Sequence, residues 1–162
     1  MLSSQHLVRS EALVDKTSLV GIGLGLLGGL AGTVLMDIVM MLTFVSVGER
    51  ADVFFTAVGE KLGGGTMLGV AIHNLIGMAG GFVFSLLVLN IRALELTSIG
   101  KGLALGVSAG AITVPLGCIP LALWLGEPIL DVIGFSIAPH LVWGTVLGLV
   151  VSTGLRRLKK PS

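Results

Sequence analysis

Four long apolar stretches, separated by short polar punctuation, set the pattern of the chain. They run near Leu19–Val45, Thr66–Asn90, Lys101–Leu125 and Val132–Leu155. Each reaches the roughly 17–25 residues that a helix needs to cross a bilayer. The pattern predicts an all-α fold, a four-helix transmembrane bundle. A polar lead at 1–18 precedes the membrane domain at 19–155, and a basic tail at 156–162 closes the chain. Proline suits a first helical turn better than a helix interior. The last helix is therefore expected to open near Pro139, with Ile133–Ala138 as a lead-in. Pro115 and Pro120 predict a kinked or locally open third helix.

The first outer loop, "ERADVFFTAVGEKLGGG", carries a pattern of its own. Val53, Phe54, Ala57, Val58 and Leu62 fall at helical spacing, and a glycine run ends the stretch. A short interfacial helix, with Phe54 and Phe55 dipping inward, satisfies this pattern. A loop packed on the top of the bundle satisfies it equally.

One frame occurs twice. "AIHNLIGMAGG" and "APHLVWGTVLG" both read His-x-x-x-Gly-x-x-x-Gly, at His73, Gly77 and Gly81 and at His140, Gly144 and Gly148. "GGLAG" at Gly28–Gly32 resembles "GVSAG" at Gly106–Gly110, Gly48-Glu49 resembles Gly126-Glu127, and Asp52-Val53 resembles Asp131-Val132. Matches in one order imply a duplicated two-helix unit, with repeats at roughly 19–90 and 101–155. Both copies would insert the same way up, related by a pseudo-twofold axis along the membrane normal. His73 and His140 are then expected at equal depth on opposite sides of that axis. Gly21, Gly25, Gly28 and Gly32 are expected on one face of the first helix, and Gly102, Gly106 and Gly110 on one face of the third. Small residues four apart let helices approach closely in lipid, where burial from water no longer drives association.

Composition sharpens the membrane reading. Of 162 residues, 54% are hydrophobic and only 12% charged, about half the charged share of a soluble domain. The net charge of +1 gives no reason to expect a nucleic-acid partner. Cys118 is the only cysteine, so no intramolecular disulfide can form. The lead has mixed charge and no small-x-small cleavage site, so the first span is expected to stay attached. Basic residues cluster before span one, between spans two and three, and at the end of the chain. Glu49, Asp52, Glu60, Glu127 and Asp131 lie in the other two loops. The positive-inside rule then predicts both termini in the cytoplasm and these acidic loops outside, across a plasma membrane.

Each helix carries one potential ligand some 16–18 residues from its inner boundary: Asp37, His73, Cys118 and His140. At about 1.5 Å per residue that is roughly 25 Å, just below the outer surface. Ionisable residues inside a span are costly and point to function. Imidazole, carboxylate and thiolate can ligate a metal ion, and two histidines flanked by glycines can grip haem b. His73, His140, Asp37 and Cys118 are thus the candidate metal ligands. The competing reading is a structural layer. His73 would bond a carbonyl, Asn74 or Asp37, His140 would begin a helix beside Trp143 as an interfacial anchor, and Cys118 would be a small core residue.

These motifs resemble a family of small prokaryotic four-helix integral membrane proteins of unknown function. The resemblance rests on "GLAGTVLMDIVM", "ADVFFTAVGEKLGGG", "AIHNLIGMAGG" and "APHLVWGTVLG". It implies the fold and supplies no activity.

No Ser-His-Asp set, phosphate-binding glycine loop or His-Glu-x-x-His motif is present. The expectation is a non-catalytic membrane protein, an accessory or structural subunit with the bilayer and other membrane subunits as partners. A metal- or haem-binding protein and a small transporter are the alternatives.

Overall fold

A computed structural model describes the backbone of residues 2–159 and the side chains of residues 18–158. The described chain is helical, with no strand. Its helices are α1 (Leu2–Ser46), α2 (Val53–Lys61), α3 (Thr66–Asn90), α4 (Ile99–Leu125) and α5 (Ile129–Lys159), with a 3-10 turn at Arg92–Leu94 between α3 and α4. Four stretches are long and apolar enough to cross a membrane: Ser18–Ser46, Thr66–Asn90, Ile99–Leu125 and Ile129–Leu158. Lys160, the last base of the expected tail, lies outside the described residues, whereas Arg156 and Arg157 continue α5.

The punctuation acts through defined caps. α1 and α4 both stop at a glycine in the left-handed region, Gly48 with φ 85° and Gly126 with φ 83°. The following amides reach five residues back, Glu49 N–H to Phe44 O at 3.0 Å and Glu127 N–H to Ala122 O at 3.0 Å. These bonds satisfy carbonyls that a helix end leaves without partners. The repeated Gly-Glu pairs are thus two copies of one helix stop. At the start of α4 the Ser98 hydroxyl accepts the Lys101 N–H at 3.0 Å, a side-chain N-cap.

Two prolines in α4 and one in α5 leave their helices uninterrupted. This corrects the expectation of a locally open third helix, and of a last helix opening near Pro139. α5 begins well upstream at Ile129, just after Pro128, whose carbonyl takes the Asp131 and Val132 amides. Around the buried Pro139, Ser136 Oγ donates to Val132 O and His140 Nδ1 to Ser136 O.

α2 forms, and it packs on the protein. Phe55 is fully buried and Val58 nearly so. A Cβ on Gly59 would strike Gly65 backbone, and one on Gly69 would strike the Phe55 carbonyl. Gly59 of α2 and Gly69 of α3 therefore seat α2 on the first turns of α3.

α1 packs on both α3 and α5, and α5 packs on both α1 and α4. The glycines explain this order. Gly25 and Gly29 of α1 meet Gly77, Gly81 and Ser85 of α3, while Gly28 and Gly32 meet Leu147, Val150 and Trp143 of α5. The glycines of α1 thus divide between two faces, where one was expected. Gly102, Gly106 and Gly110 of α4 share a face, set against His140, Gly144, Gly148 and Ser152 of α5.

The two crossings match position by position. Gly25, Gly29 and Thr33 take the places of Gly102, Gly106 and Gly110, one residue away from the register read off "GGLAG" and "GVSAG". The His-Gly frame also extends by one step, to Ser85 and Ser152. A full twofold would give α3 and α4 the interface that α1 and α5 share. Among the described residues they have no comparable approach. The positions of α4 that correspond to Gly28 and Gly32 are Leu105 and Ala109, which carry side chains that pack against the core where α1 has none. That core is built from Met36, Phe84, Val88, Leu96, Trp143, Leu147, Val151 and Leu155.

Candidate functional site

Asp37 is placed by the α1–α3 glycine crossing. It stands one turn beyond Thr33, whose hydroxyl abuts Gly77, and the close approach brings the start of α3 alongside. Both carboxylate oxygens are engaged. His73 Nδ1 lies 2.6 Å from Oδ1, and Asn74 Nδ2 donates to Oδ2 at 3.0 Å and to Val70 O at 2.9 Å. Adjacent residues on α3 thus bracket one acid. Asn74 Oδ1 is buried without a partner.

The cluster is shielded from the side of α2. The Asp37 and His73 side chains are 11% and 13% exposed. Phe54 and Phe55 of α2 set their rings edge-on to the imidazole, with centroids 5.3 and 5.8 Å away. α2 is thus a cover over the Asp–His pair.

His140 is bound differently. Its Nδ1 meets Ser136 O at 2.8 Å. A carbonyl can only accept, so Nδ1 carries the proton and a neutral ring keeps its lone pair on Nε2. Both histidines border a cleft of about 120 Å³, with Thr33, Met36, Ile76 and Thr113 among its other walls. Cys118 is buried and free.

Of the four expected ligands, the structure joins Asp37 to His73, binds His140 to the Ser136 carbonyl of its own helix and buries Cys118 apart from them as a small core residue. Among the described residues, no three His, Cys, Asp or Glu side chains form a group able to hold a metal ion. Trp143 departs from its expected role as an interfacial anchor. It is buried, donates from Nε1 to Gly29 O at 3.2 Å, and fills space left by Gly32 and Gly80. Glycines on two neighbouring helices leave room for an indole, and that coincidence is invisible in sequence order.

A second, larger cleft of about 320 Å³ opens at the end of the bundle that carries α2. Glu49, Glu127 and Asp131 line it together with Met40, Phe44, Phe54 and Phe135. Beside it Arg50 pairs with Asp52 through two bonds, at 3.0 and 2.9 Å. The hydrogen bond from Arg50 holds the Asp52 carboxyl below the usual carboxylate range.

No protein-family model, curated protein or solved structure matches this chain. Its four apolar helices agree with a membrane protein, and its family is not identified by comparison.

Proposed function

We propose that the protein is a non-catalytic membrane protein whose working part is a proton-exchanging Asp37–His73 site in the outer half of the bilayer. One observation carries this reading. One turn beyond Thr33 stands Asp37, and one turn beyond Gly110, the matching position, stands buried Val114. The second glycine crossing needs no acid. Burying two ionisable groups is expensive, and apolar residues of similar volume often serve packing as well or better. An acid kept where valine suffices points to a use for its charge or its proton.

The test is the variant Asp37→Val, which copies the other crossing. We expect it to keep the folded bundle in detergent and to take up fewer protons than the native protein when acidified from neutral pH. Collapse of the fold would make the pair structural, and equal proton uptake would show that the site does not exchange protons.

The same reading places both termini in the cytoplasm of a prokaryotic cell, and the site on the outer side. The two matching crossings and the doubled Gly-Glu stops support an origin by duplication of a two-helix unit. α3 and α4 lack a close crossing among the described residues, and exposed apolar side chains such as Ile76, Val83, Ile112 and Leu116 are compatible with work beside other membrane subunits. Extraction in mild detergent is then expected to yield a particle well above 16.6 kDa containing other polypeptides. A bare monomer in several detergents would remove that part of the reading.

A further inference from the structure

We infer that the 320 Å³ cleft at the α2 end of the bundle binds a small organic cation, an ammonium group carried on an apolar or aromatic body. This does not rest on the proton-exchange reading, and it uses none of that site's polar residues.

The interior of the cleft sets the body of the ligand. Phe44 and Phe135 stack with centroids 5.1 Å apart, and Phe54 and the buried Met40 complete an apolar, ring-lined wall. Concave, mostly apolar walls with a few placed polar groups are the usual form of a small-molecule site. Aromatic faces also attract a cation through the ring quadrupole.

The rim sets the charge. Glu49, Glu127 and Asp131 border the cleft. Among the described residues the ion pairs are Arg50–Asp52 and Asp37–His73, so none of these three carboxylates has a cationic partner. Lys61 borders an adjoining cleft with Glu127 and pairs with neither it nor Glu60. The two glutamates are held at the rim by the glycine stops of α1 and α4, which use only their backbone amides.

The chemistry favours an organic cation over a metal ion. Calcium or magnesium needs six or more oxygens in close array, and no metal-holding group of acidic side chains forms among the described residues. It also favours a free solute over a phospholipid headgroup. A lipid ammonium sits beside its own phosphate, which three carboxylates would repel.

The test titrates benzyltrimethylammonium into the full-length protein in nanodiscs of phosphatidylglycerol and follows it by calorimetry. Its uncharged isostere neopentylbenzene serves as the control. We expect saturable binding of the cation only. Glu49→Gln with Glu127→Gln should weaken it at least about tenfold, and Phe135→Leu, which keeps bulk without a ring face, about threefold or more. Asp37→Val should leave it unchanged. Equal binding by the variants, equal binding of the neutral isostere, or no saturable binding would overturn the inference. Binding that disappears in phosphatidylcholine nanodiscs would replace the free solute with a lipid headgroup.

Discussion

The α1–α3 and α4–α5 pairs solve one packing problem with the same residues and then part company at a single level. In each, glycines bring two backbones into contact, and a serine, Ser85 or Ser152, closes the frame. In each, a histidine stands at the other end. In the first pair it meets a carboxylate from the neighbouring helix. In the second it meets a carbonyl of its own helix, while valine occupies the place of the acid. The difference separates what the helices need in order to pack from what has been added to them. Glycine is the requirement and Asp37 the addition.

The severest way to break the comparison is to fill the crossings. A Cβ on Gly81 would strike Gly25 O, and one on Gly148 would strike Gly102 O. Backbone cannot yield as a side-chain end can. Gly81→Leu and Gly148→Leu are each expected to cost more than about 3 kcal/mol, read as loss of the thermal transition in detergent. The losses should be similar. A Gly148→Leu protein as stable as the native one would show that the second crossing is not held by glycine.

Removing the histidines should then tell the halves apart. His73→Val leaves a buried carboxylate without its partner, and breaking such a pair costs about 3–5 kcal/mol. Adding Asp37→Val to His73→Val should restore much of that loss. His140→Val removes only a bond to a carbonyl of its own helix, worth about 1 kcal/mol. Equal losses from the two single variants would erase the distinction drawn between the pairs.

The smallest effect is expected outside the membrane, at the entry to α2. A folded carboxyl held below its usual range contributes stability above its unfolded pKa and loses it as pH falls through the folded value. Asp52 should thus stay charged to a lower pH than a free aspartate, followed by its carboxyl carbon resonance. Arg50→Gln should move that titration upward with little change in stability, because the pair is largely exposed. An unmoved titration would show that the guanidinium has no hold on Asp52.

Much of this architecture was legible along the chain. A span of some twenty apolar residues can only be a helix in lipid, because every backbone polar group must be satisfied within it. The spans read from the sequence agree closely with the four apolar helices. The His-Gly frames and the Gly-Glu pairs were also visible, although the register read off "GGLAG" and "GVSAG" was off by one. A shift of one residue turns a helical position by about 100°, onto another face. The motif register would pair Asp37 with Pro115, whereas the crossings give its place in α4 to Val114.

The candidate site was legible as a list of residues and not as an arrangement. Counting a constant helical rise sets Asp37, His73, His140 and Cys118 at similar distances along their helices, which is as far as the sequence goes. Sequence also determined the spans, the places where α1 and α4 stop, and the glycines that make contact possible. Only the tertiary structure decided which faces those glycines serve, and so which helices become neighbours. It set α5 against α1, left α3 and α4 apart, drew Trp143 into the core, joined Asp37 to His73 beneath α2, and brought Glu49, Glu127 and Asp131 around one aromatic cleft. The physical reason is that depth follows from counting along one helix. Azimuth depends on which neighbour packs against it, and that choice is made by side chains far apart in the chain.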